Sequence, residues 1–193
     1  MLAPKPIAAG LSCCALIAMS YGASAVHAGG REPVIHVKTD EASNAAQIRA
    51  SIDIAASPSV VWTVLTNCAR MPSIIPNLES CKVVQNGGGK WDVQEHVINW
   101  SVLFPKLRTV MRNTYDAGRR LMFKRVSGDM RISEGEWRLE PVANATATRL
   151  SYNARVAPDF PVPQFMIEQA INTDMPNVLR AIRKASIADA SKP

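Results

Sequence analysis

Aromatic residues are scarce in this chain, 6% of 193, and histidine is scarcer still, with three copies. Only His36 and His96 lie beyond residue 28, and together with Cys68 and Cys81 they make no ligand cluster of recognisable spacing, so neither a metal nor any other cofactor is expected. There is no glycine-rich phosphate loop, no nucleophile elbow and no pair of metal ligands at helical spacing, which removes the commonest nucleotide, acyl-transfer and zinc chemistries. Past Val26 no apolar run is long enough to span a bilayer. A dense basic face is also missing. The cations are scattered, with short runs only at Arg119-Arg120 and Lys124-Arg125, and this argues against nucleic acid as a partner.

What the chain does have begins with a leader. Lys5 precedes an uncharged, largely apolar run from Ile7 to Val26, and Val26-His27-Ala28 offers small residues at the two positions a signal peptidase reads. Residues 1–28 therefore read as a signal peptide cut after Ala28, which implies export, in a bacterium to the periplasm. An uncleaved anchor is the competing reading, but Ser12, Ser20, Gly22 and Ser24 dilute the run. A lipoprotein is a third, and Cys13 directly before Cys14 is the wrong residue for it. Of the 22 Lys and Arg only Lys5 falls in the leader and no acid does, so 21 cations against 16 acids leave a mature charge of +5. The 165 residues after Ala28 suit one domain with a sizeable core. Export also colours the cysteines. Cys68 and Cys81 are the two that remain in an oxidising compartment, and a bridge between them would pin the exit of a helix to a strand; two buried free thiols are the alternative.

Hydrophobic periodicity then gives the element order. Val34 to Lys38 and Ile48 to Ile54 alternate as half-buried strands do, with Asp40 to Gln47 as a turn between them. Ser57 is placed to cap a helix that starts at Pro58 and carries the stripe Val60, Val61, Val64, Leu65 and Cys68; Met71-Pro72 and Pro76 end it in a loop. From Ser80 onward the period is two. Strands are expected at Ser80 to Gln85, Lys90 to Trp100, Leu107 to Tyr115, Arg120 to Ser127, Ser133 to Glu140 and Thr148 to Val156, joined by connections short enough to make them antiparallel neighbours. A single long amphipathic helix closes the chain from Val162 to Ala190, with Met166, Ile167, Ala170, Ile171, Val178, Leu179 and Ile182 in one stripe and Pro176 in its middle.

The order strand, helix, antiparallel strands, terminal helix is that of the helix-grip domains. Local residues agree: Ala56-Ser57-Pro58-Ser59-Val60-Val61-Trp62-Thr63-Val64-Leu65-Thr66-Asn67, Ile75-Pro76-Asn77-Leu78-Glu79-Ser80, and Gly128-Asp129-Met130 followed by Glu134-Gly135-Glu136-Trp137-Arg138-Leu139-Glu140-Pro141. On these motifs the chain resembles the polyketide cyclase/dehydrase and lipid-transport branch of the START-like (SRPBCC) superfamily, which includes coenzyme Q-binding proteins. The resemblance implies an α+β helix-grip fold, a curved antiparallel sheet of about seven strands wrapped around the terminal helix. Residues 48–190 would form that domain, preceded by an extension over 29–47 with a short strand. It implies an apolar small-molecule ligand, and it leaves open whether that ligand is carried or transformed.

Alternation selects candidate pocket residues. Gly135, Trp137 and Leu139 share one face of their strand, and Leu150, Tyr152, Ala154 and Val156 share one face of the last. Trp137, Leu139, Tyr152 and Ala154 are expected to line a cavity with Phe123, under Met166, Ala170 and Thr173 of the terminal helix; the bland alternative is that they simply fill the core. Glu95 shares a face with Trp91, Val93, Val97 and Asn99, and Arg125 with Leu121 and Phe123. Either these two charges pair inside and orient a ligand's polar head, or a local bulge turns one outward. His96 falls on the face opposite Glu95, where a surface position is expected. Trp100, Leu103 and Phe104, before Pro105, read as a strand crossing into the core or as a lip of the cavity that touches a membrane transiently. If the protein is an enzyme, Glu95 would be the base and Tyr152 or Arg125 the groups that polarise a carbonyl. A non-catalytic carrier is the simpler expectation.

Overall fold

The computed structural model describes residues 31–40, 42–99 and 106–192, so the leader and the expected lip of Trp100, Leu103 and Phe104 lie outside the described residues. The strands are β1 (Val34–Asp40), β2 (Ala45–Ile54), β3 (Leu78–Asn86), β4 (Trp91–Ile98), β5 (Leu107–Asp116), β6 (Arg120–Gly128), β7 (Met130–Val142) and β8 (Ala147–Pro158). Helices α1 (Pro58–Thr66) and α2 (Met71–Ile74) separate β2 from β3, and α3 (Gln164–Ala190) ends the chain. All eight strands join one curved, unclosed antiparallel sheet in the spatial order β1-β2-β8-β7-β6-β5-β4-β3. From β3 to β8 it is a meander of hairpins. The one long step carries the chain through α1 and α2 from β2 to the far edge.

The described strands number eight rather than about seven, because β1 pairs with β2 along its whole length, from Val34 opposite Ser51 to Asp40 opposite Ala45. The segment expected as an extension is thus an edge strand of the same sheet. Met71-Pro72 does not dissolve into a loop but opens α2, where a proline in the first turn loses no helical hydrogen bond. Ser57 precedes Pro58 as expected, yet its hydroxyl lies 3.0 Å from the Ser59 hydroxyl and caps no backbone N–H.

Cys68 and Cys81 are bridged, with their Cα atoms 5.4 Å apart, and this ties the exit of α1 to β3. At Gly135 the backbone of β7 leaves no room for a side chain against β8. A Cβ there would stand 2.3 Å from the Asn153 carbonyl oxygen and 2.7 Å from the Ala154 Cα, so only glycine lets the strands meet in this register.

The main core lies between the sheet's concave face and the helices. Ile54, Val61, Leu65, Leu150, Leu179 and Ile182 are almost fully buried in it. Helix α3 approaches β1, β2 and α1 along its length and no more than marginally approaches β4 to β7. Its apolar stripe serves two clusters. Leu179 and Ile182, with Met175 and Val178, pack into the main core, whereas Ile167, Met166 and Ile171 pack with Ala46, Val156 and Val162 in a second one. Pro176 lies inside α3, where its missing N–H leaves the Asn172 carbonyl without its helical donor.

Candidate functional site

Strand register sets which side chains meet on the concave face. Tyr115 opposes Leu121, Leu121 opposes Trp137, Trp137 opposes Tyr152 and Tyr152 opposes Ala50, so these five stand in one row across five strands. The neighbouring row is Asp92, Asn113, Phe123, Gly135, Ala154 and Ile48. One further row holds Gln94, Met111 and Arg125.

The aromatic residues of these rows are packed together. Trp137 and Tyr152 have ring centroids 4.4 Å apart, and Phe123 stacks on Tyr152 at 5.9 Å with ring planes 11° apart. Phe123, Leu139 and Ala154 are buried, as their inward positions require. Trp137 and Tyr152 are only half-buried although they sit mid-sheet, and among the described residues the Tyr152 hydroxyl has no hydrogen-bond partner. Desolvation raises the pKa of that hydroxyl well above the usual tyrosine value, so it stays protonated. Trp62 of α1 meets Tyr115 edge to face at 5.9 Å and closes this end of the face.

The terminal helix joins the cluster of the rings through residues other than Met166, Ala170 and Thr173. Met175, Val178, Leu179 and Ile182 share the cluster of Trp137 and Tyr152. Met166 belongs to the second cluster, Ala170 is half-buried, and Thr173 is exposed with its hydroxyl donating to the Gln169 carbonyl at 2.8 Å. The spacing of the stripe predicts a single face, but the helix divides it between two cores.

Strand β4 also differs from its sequence reading. Asp92, Gln94 and His96 face inward, opposite Asn113, Met111 and Thr109, while Glu95 faces outward and holds Arg108 through the Arg108 Nε at 2.8 Å. Glu95 therefore does not point into the interior, and His96 is no surface residue. Trp91 and Val93 suggest an apolar inner face, but Trp91 packs against Gly87 and under the Arg112 guanidinium, 3.9 Å from its ring centre.

The inward polar groups of β4 and β5 satisfy one another. Asp92 accepts from the Tyr115 hydroxyl at 2.7 Å, from Asn113 Nδ2 at 2.9 Å and from Gln94 Nε2 at 2.8 Å. His96 Nε2 donates to Gln94 Oε1 at 3.1 Å, beside the bridged Cys81 sulfur 3.6 Å from the same oxygen. Burial pushes the His96 imidazole down to about 4 against the opposing pull of Asp92, so the ring is neutral near pH 7. Burial and the Asp92 hydrogen bond raise the Tyr115 hydroxyl. Among the described residues no group of His, Cys, Asp and Glu could hold a metal ion.

Arg125 does point inward. Its Nη2 donates to the Gly128 carbonyl at 3.1 Å, and the bulge that follows it turns Val126 out to solvent. Its Nε is buried without a partner, as is the hydroxyl of Thr109, the residue opposite Gly128. Ser133 donates only to the Met111 sulfur, at 3.4 Å. On the outer surface two open depressions of about 630 and 550 Å³ lie around Lys124, Glu134 and Arg155 and around Pro161 to Gln164; neither is lined by Trp137 or Tyr152.

Known proteins share this architecture. A STAR-related lipid transfer protein from Xanthomonas axonopodis superposes with a TM-score of 0.66 at 17% identity, covering 82% of this chain and 95% of that one. An aromatase/cyclase from a Streptomyces species superposes at 0.65 and 16% identity, covering 74% and 94%. Human STARD10 superposes at 0.69 and 11% identity, covering 82% and 70%. At such identities the likeness is one of fold. No curated protein matches the chain by sequence. The family described as polyketide cyclase / dehydrase and lipid transport matches residues 54–183, which span α1 through most of α3. By that match, and by the helix-grip arrangement of its sheet and terminal helix, the chain belongs to the polyketide cyclase/dehydrase and lipid-transport family of START-like proteins.

Proposed function

We infer that this is an exported binding protein that holds an apolar small molecule, a lipid, a quinone or a polyketide-like compound, between the concave face and the terminal helix. The observation that carries this reading is the ring row itself. Trp137 and Tyr152 stand mid-sheet yet keep accessible surface, and the Tyr152 hydroxyl has no partner, while α3 rests over β1, β2 and α1. A core built only for stability would cover such rings and pair the hydroxyl. Burying about 300 Å² of ligand apolar surface there contributes roughly 7 kcal/mol before association costs. The Cys68–Cys81 bridge supports export, since such bonds persist in oxidising compartments. Phe165, 66% exposed at the start of α3, offers an apolar contact for transient docking on a membrane. Organic extraction of the purified protein followed by mass spectrometry tests the reading. A stoichiometric lipid or quinone is the expected result, and its absence together with no binding of added compounds would overturn it.

The cyclase/dehydrase alternative draws on a different observation. His96 faces inward as a neutral imidazole whose Nε2–H is held by Gln94, leaving Nδ1 as the ring's acceptor. On that reading His96, not Glu95, is the base, and turnover of a poly-β-ketone analogue would vanish in His96→Gln.

A further inference from the structure

Arg125 is a cation placed where cations are costly. It lies on the concave face, opposite Met111 and one row from Phe123, and forms no ion pair among the described residues. Its Nε is shut away from solvent with nothing to donate to. Burying a guanidinium N–H without an acceptor on a half-buried cation is unfavourable unless the site gains an acceptor from elsewhere. The inner face does hold a carboxylate, but Asp92 is saturated by Tyr115, Asn113 and Gln94 and does not reach Arg125.

Other donors at the same place are also unspent. Arg125 reaches the Gly128 carbonyl, and the residue opposite Gly128 is Thr109, 4% exposed with an orphan hydroxyl. Ser133, 7% exposed and inward-facing, has only a sulfur for an acceptor. The guanidinium with its unpaired Nε, the orphan Thr109 hydroxyl and the Ser133 hydroxyl, which has only a weak thioether acceptor to give up, suit a compact oxyanion, because an ionised carboxylate or phosphate accepts several charge-assisted hydrogen bonds at once. From the Arg125 row to the Trp137–Tyr152 row is four residues along a strand, about 13 Å. Phe123 fills the row between, so an apolar body extending from the anion would lie against rings throughout.

We propose that Arg125, with Thr109 and Ser133, is the head-group subsite of the pocket and that the ligand is an anionic amphiphile, an oxyanion on an apolar chain that lies across Phe123, Trp137 and Tyr152. The proposal rests on the binding reading above and adds the charge of the ligand to it. Glu95 plays no part in the subsite, since it is committed to Arg108 on the outer face.

Titrations at pH 8 with oleate, a monooleoyl phosphatidate, oleyl alcohol and inorganic phosphate test it. The acids are expected to bind at least tenfold more tightly than the alcohol, as one or two hydrogen bonds to a charged group provide. Arg125→Gln should erase that margin, the acids losing at least tenfold more affinity than the alcohol, and Thr109→Val should narrow it severalfold. Arg125→Gln should also change the stability of the ligand-free protein little, since the cation has no ion-pair partner to lose and only the Gly128 carbonyl accepts from it. Equal binding of acid and alcohol, or equal losses for both in Arg125→Gln, overturns the subsite while the carrier reading stands. Binding of inorganic phosphate as tightly as the phosphatidate overturns the amphiphile in favour of a free anion. If no chain-bearing compound binds, the carrier reading falls and takes the subsite with it. Should Arg125→Gln fail to fold, Thr109→Val, which introduces no new polar group, decides the matter through the same acid-to-alcohol ratio.

Discussion

Acidification should unfold this protein partly through one imidazole. His96 is held neutral by burial, with its pKa at about 4 against an ordinary value of 6.5. The unfolded chain takes up this proton near pH 6.5 and the folded chain only near 4, so the contribution is complete above about pH 7 and is lost as the pH falls through that window. Between pH 7.5 and 4.5 the difference in proton uptake amounts to about 2.5 kcal/mol, which in a domain of this size lowers the melting temperature by roughly 5–10 °C. His96→Gln removes the titration and retains a polar side chain beside Gln94. Urea unfolding followed by tryptophan fluorescence, in half-unit pH steps on both proteins, isolates the effect. Asp53 and Asp189, whose carboxyls are held low by hydrogen bonds with Arg149 and Arg70, titrate alike in both and cancel. The variant should lose about 2.5 kcal/mol less than wild type across this range. Parallel stability profiles would refute the argument, because they would mean that the folded protein charges His96 as readily as water does.

Four further variants probe the fold and the face. Gly135→Ala should cost about 1–3 kcal/mol or more in urea unfolding, since its Cβ would meet the Asn153 carbonyl oxygen at 2.3 Å; a neutral result would mean that β7 and β8 separate freely. Cys68→Ala with Cys81→Ala should lower stability by roughly 3 kcal/mol on the chain-entropy view, measured under non-reducing conditions. Tyr115→Phe and Tyr152→Phe form a contrasting pair. The first takes a donor from Asp92 and should cost about 1–3 kcal/mol, whereas the second removes a hydroxyl without a partner and should change stability by less than about 0.5 kcal/mol.

The succession of elements was legible because each obeys a local rule. Pro58 starts a helix, the period shifts to two after Cys81, and α3 keeps its spacing of three and four to the end. The shared face of Trp137 and Leu139 and that of Tyr152 and Ala154 follow from alternation, and the strand pairing agrees with them, whereas alternation alone leaves Arg125 open and the register with Met111 decides it. Strand β4 resisted the same rule. Both of its faces carry mixed residues, and what turns Asp92, Gln94 and His96 inward is their pairing with Asn113 and Tyr115, some twenty residues away. A carboxylate followed on alternate positions by Gln and His, with a Tyr and an Asn on the next strand, is the signal that could have found the cluster. It becomes readable only once the register is known. The face of α3 was half legible. Its apolar spacing is regular, but its division between two cores depends on where the sheet curves away, and no residue of the helix encodes that.

The claim that the concave face takes an apolar ligand is tested most directly by quenching of Trp137. Titration with a long-chain alcohol brominated along its chain keeps the head neutral and so stays independent of the Arg125 subsite. The account predicts saturable quenching near one molecule per chain, most of it lost in Trp137→Phe while the far-ultraviolet spectrum is unchanged. Quenching that never saturates, or that persists undiminished in Trp137→Phe, would contradict it and leave the rings as core.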